Sequence, residues 1–270
     1  MNRIKDFFTF FRDVYKSRGL IWKLAKSDLK KRYAGAAFGV IWAYIQPLVS
    51  LLVFWFVFQV GFKNPPVDDV PFILWLAPAF VLWSFFSDAL NACTNTLPEY
   101  NYLVKKMKFR TSILPLVKIT SSLLVHLFFI IVVIAMCLVY KYWPTWMWLQ
   151  VIYYLIATVF LLIGLGWISS SISVFFKDFG PIVNIALQIG FWLVPVFWNV
   201  KTMENEIVLF IMKLNPCFYL INGYRDTFVY NVGFWNYPNL TLYFWIISSL
   251  IFVLGALVFR RLKPHFADVL

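Results

Sequence analysis

Charge is scarce in this sequence. Of 270 residues only 13% are charged, and acidic residues are the scarcer kind, with 12 Asp and Glu against 24 Lys and Arg. An ordinary soluble domain carries roughly 25% charged residues. A chain that is 62% hydrophobic and 21% aromatic has more apolar surface than a water-soluble fold of this length can hide. Histidine is nearly absent: His126 and His265 are the only 2, and neither has a cysteine at ligand spacing, which excludes a His/Cys metal cluster. The 3 cysteines, Cys93, Cys137 and Cys217, lie far apart with no C-x-x-C pair. That excludes a disulfide framework or zinc ribbon and leaves them as small apolar fillers. There is no G-x-x-x-x-G-K-[ST] phosphate loop, no H-E-x-x-H and no G-x-S-x-G elbow. Nothing points to catalysis, so energy for uphill work has to come from a partner or an ion gradient. The few acidic and histidine residues in the apolar runs argue against a proton relay.

What is present is a series of apolar runs. A membrane helix needs about 20 mostly apolar residues, and six runs are predicted as spans: Phe38 to Phe62, Val70 to Leu90, Ser112 to Tyr140, Trp146 to Phe176, Pro181 to Val200 and Leu240 to Phe259. The predicted fold is an all-α integral membrane protein, a single transmembrane domain over 1–270. It has a cytoplasmic amphipathic segment (1–36), spans one to five (38–200), an outer region (201–237), span six (240–259) and a tail (260–270). The N-terminal stretch is polar and basic, unlike a signal peptide. Lys and Arg collect before span one (Arg3, Lys5, Arg12, Lys16, Arg18, Lys23, Lys26, Lys30, Lys31, Arg32), between spans two and three (Lys105, Lys106, Lys108, Arg110) and in the tail (Arg260, Arg261, Lys263). The alternate loops are poor in them. Net charge +12 therefore reads as topology rather than nucleic-acid binding, with both termini cytoplasmic. Between Lys201 and Tyr237, two apolar pieces, Ile207 to Leu214 and Phe218 to Tyr230, are broken at Asn215-Pro216 and are too short to cross. They are expected to be a re-entrant or interfacial pair on the outer face.

Several local features bear on function. Ile4, Phe7, Phe8, Phe11, Val14 and Tyr15 share a helical stripe beside a basic face, the pattern of an interfacial anchor or a partner surface. Thr96-Leu97-Pro98-Glu99 fits a capping box opening a short helix to about Met107, whose Tyr100, Tyr102, Leu103 and Val104 would be apolar groups exposed in the cytosol. These fit either a docking site or a helix lying on the bilayer. Trp42, Trp55, Trp83 and Trp192 lie in or near spans; they suit a sugar pathway, since rings stack on sugar faces, or a plain interface belt. Asp88, Lys118 and His126 lie in or beside spans, where ionisable groups are costly, and Asp88 and Lys118 are placed to pair. Arg225-Asp226 falls in the outer region and reads as a local pair.

The residues then match a family pattern. LAKSDLKKRYAGAAFGVIWAYIQPL (Leu24 to Leu48) resembles the entry motif of ABC-type polysaccharide export permeases through Asp28, Lys31, Arg32, Tyr33, Gly39, Trp42, Pro47 and Leu48. EYNYLVKKMKFRTSILP (Glu99 to Pro115) is similar to the family's first coupling region. KDFGPIVNIALQIGFWLVPVFW (Lys177 to Trp198) is similar to its fifth span, with Lys177-Asp178 where Arg-Asp is more usual. LNPCFYLINGYRD (Leu214 to Asp226) and the tail FRRLKPHFADVL complete the pattern over nearly the whole chain. The resemblance implies a homodimeric half-transporter in the bacterial cytoplasmic membrane. Two ATP-binding-cassette ATPase subunits would dock beneath it; ATP and Mg would bind there, and this chain would hold no cofactor. The implied cargo is a polyprenyl-diphosphate-linked glycan (capsule or O-antigen) or a polyol-phosphate polymer such as teichoic acid. By the same resemblance, Glu99, Tyr100, Tyr102, Leu103, Val104, Lys105 and Lys106 would receive the ATPase stroke. With that cargo, Lys30, Lys31, Arg32 and Tyr33 are expected either to meet the anionic headgroup or only to fix topology, and Trp42, Trp55, Trp83 and Trp192 to line the pathway. Asn215, Pro216, Tyr224, Arg225 and Asp226 belong to the outer gate. Two other readings stand beside this one: an ATP-driven permease for drugs or simple lipids, and a membrane-embedded glycosyl or acyl transferase. The transferase predicts an Asp/Glu/His cluster at one depth, and Asp88 and His126 lie in separate spans.

Overall fold

The structure is a computed structural model and describes residues 16–105 and 110–270. The amphipathic stripe Ile4 to Tyr15, and Lys106 with its neighbours to 109, lie outside the described residues. Helix α1 (Arg18–Arg32) ends on Lys30, Lys31 and Arg32, cations that complement the negative end of the helix dipole. Helix α2 (Trp42–Trp55) is entered by a single tight turn at Gly39–Ile41 and prolonged by a wide turn at Phe56–Gly61. Helix α3 (Phe72–Thr94) leads into two one-turn helices, α4 (Thr96–Glu99) and α5 (Asn101–Val104). Then come α6 (Leu114–Val139), α7 (Gln150–Phe175) and α8 (Phe179–Leu193). The chain closes with α9 (Glu206–Lys213), α10 (Pro216–Arg225, prolonged to Tyr230), α11 (Pro238–Leu262) and α12 (Phe266–Val269).

Among the described residues, 5 helical stretches are long and apolar enough to cross a membrane: Gly39–Gly61, Phe72–Thr94, Thr111–Val139, Trp146–Phe175 and Pro238–Val269. They coincide with predicted spans one to four and six. The fifth predicted run behaves differently. Helix α8 has 15 residues, about 22 Å at 1.5 Å per residue, shorter than the roughly 30 Å hydrocarbon layer. The chain after it supplies the missing length. Gly180 lies against Asn95, just past the end of α3, while the Pro195 and Val196 carbonyls lie beside Trp75 at its start, held there by Arg225. Residues 180–196 therefore run the length of α3 and carry the chain from one end of the bundle to the other. The following α9 and α10 form the bent pair expected from the Asn215-Pro216 break, with an angle of 93° between their axes. Asn215 causes the bend: its Oδ1 accepts from the Cys217 N–H at 3.0 Å, capping α10, and Pro216 occupies the first helical position, where its missing N–H costs nothing.

Helix α3 is the axis of the fold. Its most apolar window is 83% buried, against 11% for the stretch containing α2. A mostly apolar helix enclosed by others is central; one left largely uncovered faces lipid or another copy. Helices α7 and α11 approach until their backbones touch. A Cβ on Gly255 would stand 2.3 Å from the Gly164 carbonyl oxygen, and one on Gly164 would stand 2.8 Å from Phe252 Cα. Small residues at such crossings give the van der Waals contact that holds helices together in lipid. Phe160 and Phe252 stack beside the crossing at 4.6 Å.

A second, smaller core closes the α1 end of the bundle. Ile21 and Ala25 of α1, Leu97, Tyr100 and Val104 around α4 and α5, Trp167 of α7, Phe259 of α11 and Phe266 of α12 pack together. This corrects the expected docking helix. The segment is broken at Tyr100 into two single turns, Thr96–Glu99 and Asn101–Val104, and Met107 lies outside the described residues. Tyr100 and Val104 are buried, Leu103 is half-buried, and of the expected apolar patch only Tyr102 is exposed. Helices α1 and α12 cover what the sequence left open.

Candidate functional site

The ionisable residues in and beside the spans form one network at the α1 end. Lys118 of α6 is buried and donates to Asp28 of α1 at 2.6 Å and to Glu99 of α4. The Tyr100 hydroxyl donates to the same Asp28 oxygen at 3.0 Å. Arg32, one turn after Asp28, donates from Nη1 to both carboxylate oxygens of Asp88, at 2.8 and 2.9 Å, and its Nη2 lies 3.7 Å from Asp28. Ser122 of α6 donates to Asp88 at 2.5 Å. Asp88 and Lys118, expected to pair with each other, are each claimed by α1 instead: Asp28 and Arg32, spaced four apart on one helical face, present a carboxylate to Lys118 and a guanidinium to Asp88. The capping box is not formed either. The Thr96 hydroxyl is buried without a hydrogen-bond partner, and Glu99 turns to Lys118, because a charge-assisted bond is roughly twice as strong as a neutral one.

Electrostatics at the helix ends follow from this network. Burial acts to lower the Arg32 pKa, but the charge and hydrogen bonds of Asp88, with the charge of Asp28, outweigh it and hold the pKa above its ordinary value. Burial, and then the charge and hydrogen bond of Asp28, push the Tyr100 phenol up. Both groups keep one protonation state through the physiological range.

Two adjoining cavities open around Arg32, which lines both together with Asp88, Asn91 and Asn184. The one at the α1 end has a volume of about 530 Å³ and reaches Lys31, Asn95, Glu99 and Tyr102. The other, about 470 Å³, rises between α2, α3 and α8. Its lining carries polar side chains at helical spacing on three helices: Gln46 and Ser50; Ser84, Ser87, Asp88 and Asn91; Asn184 and Gln188. Spacings of three and four residues place each set on one face. Polar groups within candidate spans stay off lipid and mark a water-filled path or a partner contact. Phe80, Trp83 and Phe191 close the cavity where the polar stripe ends. His126 lines it from behind, stacked on Phe85 at 4.6 Å and hydrogen-bonded through Nε2 to the Tyr224 hydroxyl at 2.9 Å. No group of three or more His, Cys, Asp or Glu among the described residues is placed to hold a metal ion.

The remaining candidate residues divide. Lys30 and Lys31 are exposed, and Lys31 lines the first cavity. Tyr33 lines the second. Arg32 is committed to Asp88, so among the described residues it is the member of the basic cluster that already has a carboxylate partner. Trp83 is buried on the cavity wall. Trp42 and Trp192 are exposed on the outside of their helices, Trp55 is half-buried, and these three line neither cavity. Lys105 is exposed, and Lys106 lies outside the described residues. Among the outer-gate candidates, Asn215 and Pro216 form the bend. Tyr224, Arg225 and Asp226 are buried, and no ion pair joins Arg225 to Asp226. Arg225 instead donates to the carbonyls of Trp75 at 3.1 Å, Pro195 at 2.5 Å and Val196 at 2.6 Å, and lies over the Trp75 ring at 3.5 Å. Arg225 thereby pins the chain after α8 to the first turn of α3.

Sequence reasoning did not assign Asp28 a role in the site, nor the stripes on α2, α3 and α8. The signal was there: Gln46/Ser50, Ser84/Ser87/Asp88/Asn91 and Asn184/Gln188 are polar residues at helical spacing inside apolar runs.

Comparison with known proteins adds to this geometry. The model of the family described as "ABC-2 type transporter" matches residues 19–229. The chain is 27% identical to the O-antigen export system permease protein RfbA of Myxococcus xanthus over 219 residues, 80% of this chain and 83% of the relative. It is 27% identical to a Klebsiella pneumoniae protein of the same name over 255 residues, 93% of this chain and 95% of the relative. A second Klebsiella pneumoniae protein so named is 26% identical over the same share.

Proposed function

The chain belongs to the ABC-2 type transporter family, and from that premise we propose that it is the membrane subunit of an ATP-driven exporter of lipid-linked glycan. The observation that carries this reading is the polar cleft along α3, with stripes on three helices meeting beside Arg32 and the exposed Lys31. A transporter of apolar drugs or simple lipids has little use for amides and hydroxyls in register across three spans; a hydroxyl-rich chain does. The O-antigen export named for the relatives agrees with a glycan cargo.

In this reading two copies pair in the cytoplasmic membrane of a bacterium, and two ATP-binding-cassette subunits dock at the α1 end, which faces the cytoplasm with both termini. The diphosphate of a polyprenyl-linked substrate meets Lys30 and Lys31 first, as exposed cations at a membrane surface attract anions. It then competes with Asp88 for Arg32. Amides and hydroxyls of the cleft accept and donate to the first sugars, and Trp83 offers a ring face. The bent α9–α10 pair closes the far end. Movement of α4 and α5 under the ATPase shifts the balance between closed and open states only insofar as nucleotide binds them with different affinity.

The test is depletion of the chain in its own bacterium, followed by measurement of surface polysaccharide and of lipid-linked polymer inside the cell. Export by this chain gives loss at the surface and accumulation within, and tagged protein extracted in mild detergent carries an ATP-binding-cassette subunit at one-to-one ratio. Unchanged surface polymer, or a chain that purifies only with itself, defeats the proposal.

A further inference from the structure

A third cavity, of about 480 Å³, opens at the opposite end of the bundle, lined by α3, α7, α10, the start of α11, Lys213 of α9 and the chain at Asn199 and Val200. It is separate from the polar cleft and contains none of its residues. Trp75, Tyr154, Tyr219, Asn222, Asp226 and Tyr230 give it its character. We propose that this cavity is a saccharide subsite on the exit side, in which Asp226 accepts hydroxyl hydrogen bonds from a neutral sugar unit seated against the tyrosine rings. The identity of the ligand rests on the glycan-export reading above; the site itself rests on the geometry that follows.

Asp226 is the key observation. It is 9% exposed, and no hydrogen bond or ion pair within the protein is made by its carboxylate among the described residues. The cation beside it in sequence is unavailable, because Arg225 is spent on three backbone carbonyls and the Trp75 ring. A buried carboxylate without a partner is costly, and Asp226 has only the cavity to turn to. That disfavours an acyl chain as the natural occupant, since it would leave the carboxyl group without a hydrogen-bond partner. Lys213 also lines the cavity and offsets the repulsion between the carboxylate and an anion, so it is the ring faces and amides that favour a neutral sugar over a phosphate. A metal ion lacks ligands, as the described residues offer no cluster of three.

The rings are held in place by their hydroxyls. Tyr219 shares hydrogen bonds with Tyr153 at 2.9 Å and Thr241 at 3.0 Å, and Tyr230 donates to Asp68 at 2.9 Å. Tyr154 packs on Gly223 so closely that a Cβ there would stand 2.1 Å from its ring. Fixed aromatic rings give contact area at little entropic cost, and their faces suit the C–H faces of a pyranose. A volume in the ordinary range for small-molecule pockets, the Asp226 carboxylate, the amides of Asn199 and Asn222 and rigid tyrosines together describe a sugar site.

Saturation-transfer NMR on the full chain in lipid nanodiscs tests this, with methyl glycosides of glucose, galactose, mannose, N-acetylglucosamine and rhamnose as probes. At least one glycoside is expected to receive saturation from wild-type protein. Asp226→Ala should weaken its binding roughly tenfold or more, the effect of losing a hydrogen bond to a charged acceptor, and Asp226→Asn should weaken it less. Trp143→Ala, an exposed residue outside the cavity, should not change it. Asn222→Ala, at a half-buried position, serves as the second variant if Asp226→Ala does not fold. No transfer to any glycoside, or transfer that survives both Asp226→Ala and Asn222→Ala, overturns the subsite. The depletion experiment is read independently. Surface polymer that depends on the chain while no glycoside binds defeats the subsite alone; glycoside binding that depends on Asp226 with surface polymer unaffected defeats the export reading alone.

Discussion

The ammonium of Lys118 lies 2.6 Å from the carboxylate of Asp28, across 90 positions of sequence, and both side chains are almost fully buried. This contact joins the helix before the first span to the third span and, through Glu99, to the elbow after α3. Removing one partner of a buried pair strands the other charge at about 3–5 kcal/mol. Lys118→Met is therefore expected to lower stability by that order, measured as a fall in the thermal midpoint of the purified protein. Asp28→Leu combined with Lys118→Met should recover part of the loss, because the stranded carboxylate is gone. A double variant no better than Lys118→Met alone would show that the pair is not the source of the effect.

Arg32 makes the corresponding contact on the cleft side. Lys in its place keeps the charge but cannot hold both Asp88 oxygens while also reaching toward Asp28. Export is expected to fall partially in Arg32→Lys and severely in Arg32→Gln, read as surface polymer at equal membrane abundance. Replacing Lys30, Lys31 and Arg32 together with Gln should also cut export once insertion is verified; unchanged export in the triple variant would sink headgroup docking at this site.

How much of this was legible in the sequence depends on the range of the interaction. The five long helices follow from hydropathy, a property of contiguous residues, and the α9–α10 bend follows from Asn215-Pro216, a local signal. The partners of Lys118 and Asp88 were not legible, because they are set by how α1 packs on α3 and α6. Spacing along the chain says only that Asp28 and Arg32 share a face, not which helix that face meets. The capping box failed for the same reason: Thr96 and Glu99 have the right local spacing, and a lysine from another helix outcompeted the local partner. Tyr100 and Val104 read as exposed because the cover, α1 and α12, comes from the two ends of the described chain. The polar stripes were legible, and counting polar residues at helical spacing within each apolar run recovers them.

The Gly164–Gly255 crossing gives a prediction independent of cargo. A methyl group on Gly255 meets a backbone oxygen at 2.3 Å, and backbone cannot move aside as a flexible side chain can. Gly255→Ala is expected to force α7 and α11 apart at about 1–3 kcal/mol, the cost of overpacking, seen as a lower thermal midpoint. Gly19→Ala, where nothing lies within 4 Å, should leave the midpoint unchanged or slightly raised, since Ala is the better helix former.

Glu99 separates coupling from stability. Its side chain is half exposed, at 52%, while Lys118 retains Asp28 when Glu99 is neutralised. An ion pair with an exposed partner contributes about 0–1 kcal/mol, so Glu99→Gln should leave the thermal midpoint nearly unchanged. The same substitution cuts the one ionic link, among the described residues, between the α4–α5 elbow and the Lys118–Asp28 pair. If the ATPase acts through that elbow, the complex carrying Glu99→Gln should still assemble and hydrolyse ATP, while surface polymer produced per ATP falls. Export at wild-type efficiency per ATP would show that the stroke bypasses this contact and reaches the cleft through the apolar packing of Leu97 and Tyr100 against α1. A loss of ATPase docking in Glu99→Gln would place the residue in the interface itself, with the Lys118 contact secondary.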